Sequence, residues 1–200
     1  MSRTKQYDRT ELLDRAVELF RRQGFKGTST AELVAEFGVN RKSMYAEFGS
    51  KQKLFEAALA HYSRNHLTRV LSPLEALDAG LDGVRRSFRY YAKSSEGPYH
   101  GLGCLMCNTA GEGGALEPGT AQFVDAYLER LTKAFKHALR TAQKGGEINA
   151  SVDIDELAGF LTTALIGMAA SIRAKAPPAQ LWAAYRVVTG VLDALPAPAQ

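Results

Sequence analysis

The sequence predicts an all-α protein, with an N-terminal three-helix helix-turn-helix unit followed by a larger helical body. Three observations carry this. Apolar residues recur at the three- and four-residue spacing of a helix face from Leu12 to Leu192. No stretch alternates with period two as a half-buried strand would. The breaks between apolar stretches are short clusters of Gly, Pro and small polar residues, several ending in a residue suited to cap a helix.

The first helix opens at Asp8-Arg9-Thr10-Glu11, which has the form of a capping box, and carries Leu12, Leu13, Ala16, Val17, Leu19 and Phe20 until Gly24 stops it. A second helix runs from Thr30 to Phe37, capped by Ser29 or Thr30 and ended by Gly38. Asn40 caps a third, from Arg41 to about Glu47, and Gly49-Ser50 breaks and re-caps the chain at Lys51. Two short helices joined by Gly38-Val39-Asn40 make a helix-turn-helix. Further helices are predicted near 51–71, 74–94, 101–112, 119–144, 153–175 and 178–195, broken at Ser72-Pro73, Ser94 to Pro98, Gly111 to Gly119, Gly145 to Ser151 and Pro177-Pro178. Asp153-Ile154-Asp155-Glu156 repeats the capping-box pattern, and the Pro/Ala-rich residues past Leu195 are expected to fray.

The chain has 200 residues, 46% hydrophobic and 23% charged, which excludes collagen-like, disordered and coiled-coil classes. That length supports a core without disulfide, metal or cofactor, and no cofactor is expected. The net charge of +4 is unevenly placed. Residues 1–53 hold 11 basic and 7 acidic side chains, whereas residues 54–200 hold 14 of each. The chain therefore divides into a basic unit, 1–53, and a neutral body, 54–200, with the helix from Lys51 connecting them. A basic unit coinciding with a helix-turn-helix is the electrostatic footprint of a nucleic-acid contact. The first twenty residues lack an apolar signal region, so a cytoplasmic location is expected. Leu157 to Ile172 is uncharged but short for a bilayer, so it reads as a buried helix, not a membrane span.

The segment Gly24-Phe25-Lys26-Gly27-Thr28-Ser29-Thr30-Ala31-Glu32-Leu33, followed by Phe37-Gly38-Val39-Asn40-Arg41-Lys42-Ser43-Met44-Tyr45-Ala46-Glu47-Phe48-Gly49-Ser50-Lys51, closely resembles the DNA-binding domain of TetR-family transcriptional repressors. The matching features are Leu19-Phe20, Gly27-Thr28-Ser29, Gly38-Val39-Asn40, Tyr45 with Phe48, and Ser50-Lys51, over about residues 8–60. The resemblance implies a repressor released from a palindromic double-stranded operator by a small-molecule effector. It places the third helix in the major groove and Tyr45 on a phosphate. Physical reasoning on the same residues agrees. Thr30 and Lys51 sit at helix N-termini, where free N–H groups and the helix dipole favour phosphate. Asn40, Arg41, Lys42, Ser43, Tyr45 and Glu47 lie on or beside the third helix, and Arg41 or Lys42 suits guanine O6/N7. Met44 and Phe48 face the other way, into the core. Lys42 and Glu47 depart from the family habit of a small residue and a His, so Glu47 either accepts from a cytosine amine or pairs with Arg41 or Lys42. Arg3 and Lys5 add a loose basic arm.

By the same resemblance the last two helices, about 153–175 and 178–195, form a homodimer. Leu157, Leu161, Leu165, Met168 and Ile172 make one stripe, with Gly159, Gly167, Ala169 and Ala170 permitting close approach. Trp182, Tyr185, Val188, Val191 and Leu192 make another, and both stripes also fit an internal core. The middle helices would enclose the effector. Phe88, Tyr91, His100, Cys104, Cys107, Asn108, Phe123, Tyr127 and Phe160, with Met106 beside them, supply the aromatic and polar groups such a pocket uses. Gly103-Cys104-Leu105 is similar to a segment of one C-terminal subgroup of the family.

Cys104 and Cys107 admit three readings: buried small hydrophobes, a redox- or electrophile-responsive thiol pair, or a metal site with His100. The rival function class is a helical thiol oxidoreductase, which would need an exposed, low-pKa thiolate. No nucleophile elbow, P-loop, dinucleotide or H-E-x-x-H motif is present, so no enzyme is expected.

Overall fold

A computed structural model describes residues 7–112 and 117–197, and these form ten helices with no strand among them. The helices are α1 (Arg9–Gly27), α2 (Thr30–Phe37), α3 (Arg41–Phe48), α4 (Lys51–Asn65), α5 (Thr68–Glu75), α6 (Leu81–Ser94), α7 (Leu105–Gly111), α8 (Pro118–Lys144), α9 (Ile154–Arg173) and α10 (Pro178–Asp193). Helices α1 to α3 pack around Phe20, Leu33, Met44 and Phe48. Long α8 is the pillar of the body, touching α4, α5, α6, α7 and α9. One continuous apolar cluster runs from Leu12 to Leu192, so the N-terminal unit and the body share a core. The basic arm at Arg3 and Lys5 lies outside the described residues.

Several boundaries differ from expectation, each for a local reason. Asp8 caps α1 by accepting from the Thr10 amide at 2.8 Å, but Glu11 turns to Arg15 and does not close the box. Gly24, at φ 79° and ψ 173°, breaks the helix where the sequence places its stop, and a short further stretch carries α1 on to Gly27. The amides of Phe25 and Lys26 beyond the kink donate to the Glu112 carboxylate at 2.8 and 3.2 Å, tying α1 to the end of α7.

The predicted 51–71 helix breaks at His66-Leu67, where no Gly or Pro marks the sequence. Both of those amides return to the Tyr62 carbonyl, and the chain turns to lay α5 on α6 and α8. Pro73 does not break α5; it sits near the helix end, where its missing N–H costs one bond at most. The predicted 101–112 helix starts only at Leu105, because Gly101 and Gly103 take the left-handed conformation (φ 86° and 64°) and fold the chain against α9. A Cβ at Gly103 would lie 2.9 Å from the Cβ of Arg173 and 3.0 Å from the Ala169 carbonyl oxygen. The tail does not fray at once: the Asn149 amide donates to the Pro196 carbonyl at 2.7 Å.

At Gly83 the start of α6 lies tight against the backbone of α5. A Cβ there would stand 2.3 Å from the Pro73 carbonyl oxygen, which is backbone and cannot swing aside. Gly83→Ala is therefore expected to cost about 1–3 kcal/mol by overpacking. A thermal melt at the wild-type midpoint would refute this reading of the α5–α6 contact.

The α9 stripe of Leu161, Leu165, Met168 and Ile172 is buried in the chain's own core, and Leu157 packs partly against it. It is therefore not the open face of the helix. That face carries Gly159, Phe160, Thr163, Gly167 and Ala170, with Phe160 46% exposed. On α10, Leu181, Val188 and Leu192 point in, whereas Val187 (64% exposed), Gly190 and Val191 point out. α9 is the one described helix long and apolar enough to cross a membrane, and its inner face is seated on α6, α7 and α8.

Candidate nucleic-acid interface

The α2–α3 unit is fixed by its caps. The Ser29 hydroxyl accepts from the Glu32 amide at 3.2 Å while the Glu32 carboxylate accepts from the Ser29 amide at 2.7 Å, a closed capping box. These bonds hold the Glu32 carboxyl below its usual pKa. Gly38, at φ 65°, closes α2 by donating to the Ala35 and Val34 carbonyls. Asn40 then accepts from the Ser43 amide at 2.8 Å, so its side chain oxygen orients α3. Ser50 caps α4 likewise through the Lys53 amide at 3.1 Å.

With Met44 and Phe48 buried, α3 turns Arg41 and Lys42 to solvent and leaves Ser43 and Tyr45 half-exposed. The Tyr45 hydroxyl is 3.4 Å from the Thr30 hydroxyl, joining the start of α2 to the middle of α3. The Arg41 guanidinium lies 5.5 Å above the Tyr45 ring and donates to its hydroxyl at 3.5 Å. Bonding to Thr30, then to Arg41, lowers the Tyr45 pKa. The Lys51 ammonium rests 4.3 Å above the Phe25 ring, and burial lowers its pKa against the opposing pull of Glu112 and Glu32. Thr30, Arg41 and Tyr45 are thus joined by direct contacts, with Asn40, Lys42 and Ser43 beside them at the start of α3 and Lys51 at the start of α4.

Glu47 is placed differently from expectation. Its side chain is only 6% exposed, with one carboxylate oxygen 3.2 Å from Arg9 Nε and the other accepting from the Tyr7 hydroxyl at 3.3 Å. It pairs with the start of α1, its side chain turned back across the bundle.

This arrangement has close counterparts. Residues 12–58 match the family model described as bacterial regulatory proteins, tetR family, and residues 80–188 match the tetracyclin repressor-like C-terminal domain. The chain belongs to the TetR family. It is 29% identical over 194 residues to the uncharacterized HTH-type transcriptional regulator YezE of Bacillus subtilis (strain 168), covering 96% of this chain and 100% of that one. It is 30% identical over 178 residues to the HTH-type transcriptional repressor ComR of Escherichia coli (strain K12), covering 86% and 82%. Among solved structures, a cysteine mutant of the TetR family regulator CifR complexed with 26-bp double-strand operator DNA superposes with a TM-score of 0.82 at 28% identity, covering 97% of this chain and 100% of that one. The protein is accordingly a DNA-binding transcriptional regulator of the TetR type, with the helix-turn-helix as its DNA-binding unit.

The TetR-type body distributes the expected effector residues unevenly. Tyr91, Cys104 and Tyr127 are buried and Cys107 is half-buried, and the four interact as one cluster with Tyr62. Phe88 is fully buried against Phe135, and Phe123 is half-buried one turn before Tyr127 on α8. Asn108 spends its amide on the Leu102 carbonyl at 2.7 Å, which pins the turn before α7. His100 reaches the Ala176 carbonyl at 3.2 Å and lines an outer groove with Arg22, Arg173 and Lys175. Phe160 lies on the exposed face of α9, away from the interior cluster. The metal reading of Cys104, Cys107 and His100 fails among the described residues, where these three do not converge.

Sequence reasoning missed the residue that joins unit to body. Arg21 of α1 is 8% exposed, donates through Nε and Nη2 to the Gly103 carbonyl, and lies 5.6 and 5.4 Å from the Tyr62 and Tyr99 rings. Among the described residues no carboxylate pairs with it. It lines a narrow cavity with Tyr62, His66, Tyr90, Tyr91 and Tyr99, whose free volume of about 20 Å³ is one water's worth. A signal was available: Arg21 continues the apolar stripe Leu13–Val17, the position of a charge on a buried face.

Burial pushes the Cys104 thiol up, yet donation from the Cys107 thiol and amide, the Tyr62 hydroxyl and the Met106 amide outweighs it and brings the pKa to about 6. Cys107 is pushed well above the usual thiol range, first by its bond to Cys104 and then by burial. Thiolate absorbance should therefore appear as pH rises through about 6 and vanish in Cys104→Ser. Retention of that step in Cys104→Ser would show another group to be titrating. Because bonding holds the folded thiol below a free one, the contribution of Cys104 to stability should be present at high pH and be lost as pH falls.

Proposed function

We propose that the chain is a cytoplasmic, homodimeric repressor that a small-molecule effector releases from a palindromic operator. Residues 1–53 bind DNA and residues 54–200 bind the effector and dimerise. Arg41 and Lys42 donate to base edges, Tyr45 and Thr30 hold phosphates with the α2 and α4 N-termini, and Asn40 and Ser43 fix the angle of α3. The observation that carries this reading is the outward set of Arg41, Lys42 and Tyr45 on a capped α3 whose other face is core. Arg21 supplies the coupling: it reaches from α1 into the body, so a ligand that favours another body arrangement re-aims α3 and lowers affinity by its preference between the two states.

Genomic fragments selected on the purified protein should converge on a two-fold symmetric sequence that survives physiological salt. Binding without sequence preference would reduce the protein to a nonspecific DNA binder.

A second reading, a thiol-responsive regulator acting through Cys104, rests on its depressed pKa. With Cys104 only 1% exposed, access would require opening at α7. If electrophiles weaken DNA binding equally in wild type and Cys104→Ser, this reading is wrong.

A further inference from the structure

Asp14 of α1 lies between two histidines at the far end of α4. His61 Nε2 is 2.6 Å and His66 Nε2 is 3.9 Å from the same carboxylate oxygen, Oδ1. One ligand atom from each of the three side chains falls within 4.8 Å of the other two, and among the described residues no other trio of His, Cys, Asp or Glu does so. We propose that Asp14, His61 and His66 form a binding site for a borderline divalent transition-metal ion of the zinc type, which clasps α1 to the C-terminal end of α4. The proposal is independent of the DNA and effector readings above.

Two imidazoles and one carboxylate with an open solvent side match three protein ligands and a water. Magnesium and calcium would want more oxygens than the single carboxylate supplies. Bonds of about 2.0–2.1 Å in a tetrahedron put ligand atoms about 3.3 Å apart, so His61 Nε2 and Asp14 Oδ1, here hydrogen-bonded at 2.6 Å, part to admit the ion while His66 Nε2 closes from 3.9 Å. The adjustment falls on the freer groups. His61 has a side chain 6% exposed and is the fixed point, while Asp14 at 56% and His66 at 31% have room to turn.

The Tyr62 ring stacks on His66 with centroids 5.1 Å apart, limiting where that imidazole can point. Asn65 Nδ2 donates to His61 Nδ1 at 3.1 Å, which leaves the ring proton on Nε2 facing Asp14; metal binding at Nε2 moves that proton to Nδ1 and needs the Asn65 amide turned so that its oxygen accepts it. Arg21 and Arg69 bring positive charge towards His66, so affinity should fall below that of sites with two anionic ligands.

The test uses the full chain, stripped with a chelator and titrated with Co²⁺, whose visible bands report its ligand field, then with Zn²⁺ as competitor. One equivalent of Co²⁺ should produce bands that Zn²⁺ removes, and Zn²⁺ should raise the melting temperature. Asp14→Asn and His66→Ala should each weaken Co²⁺ binding tenfold or more while melting normally without metal, since both side chains are partly exposed. Cys104→Ser combined with Cys107→Ser should leave binding unchanged. The proposal is overturned if millimolar Co²⁺ gives no bands, or if the bands persist in Asp14→Asn and His66→Ala or vanish in the cysteine variant.

Discussion

Arg41→Ala should lower operator affinity by about 30-fold or more with no change in melting temperature. The size follows from symmetry. A good side chain to base-edge contact contributes about 1–3 kcal/mol, and a dimer on a palindrome makes it twice, so roughly 2–6 kcal/mol is lost. Stability is untouched because the Arg41 side chain is exposed and its contacts in the free protein are the Tyr45 ring and hydroxyl, the latter at the 3.5 Å limit of a hydrogen bond.

Three companions make the result diagnostic. Tyr45→Phe keeps the ring under Arg41 but loses the hydroxyl that faces Thr30 and a phosphate, so its loss should be smaller and nearly independent of operator sequence. Lys42→Ala separates its two assignments: a base contact relaxes specificity at one position, while a phosphate contact lowers the salt slope by about one per site. Glu47→Ala should weaken the Arg9 and Tyr7 ties and act through stability, not base preference. Full operator affinity in Arg41→Ala, measured by gel shift or anisotropy, would remove α3 from the recognition surface as drawn.

The contrast between Arg41 and Glu47 shows where the sequence was readable. Helices α2 and α3 were legible almost to the residue, because Ser29, Gly38, Asn40 and Gly49 are local signals whose chemistry acts within four residues. Helices α8, α9 and α10 were legible for the same reason. The break at His66-Leu67 was not, since nothing local forbids a helix there and the turn is set by α5 finding α6 and α8. The surroundings of Glu47, Phe160 and the cysteines were not legible for a related reason: helical periodicity says which residues share a face, not which neighbour that face meets. Arg21 is the converse case, a polar residue whose place on an apolar stripe already marked it as buried.

The same ambiguity bears on the dimer. α9 has two apolar faces, and the one richer in Leu and Met is spent on the chain's own core. What remains is a shallow surface of Gly159, Phe160, Thr163, Gly167 and Ala170, continued on α10 by Val187, Gly190 and Val191. Apart from the helix's own backbone and the adjacent residues, no described atom lies within 4 Å of where a Cβ would stand on Gly159, Gly167 or Gly190, so these positions leave space for another helix. A dimer formed there would be two-fold, so each residue near the axis meets its own copy. Val187→Glu should then set two like charges against each other in an apolar interface and leave them without a partner, a penalty of several kcal/mol. The expected product is a folded monomer by light scattering, since Val187 is 64% exposed and contributes little to the internal core. Its operator affinity should fall by about 100-fold or more, towards that of a single half-site. Leu77→Glu, at a position 95% exposed on the α5–α6 turn, should remain dimeric and bind normally. If Val187→Glu stays dimeric while Leu77→Glu does not, the interface lies on another face.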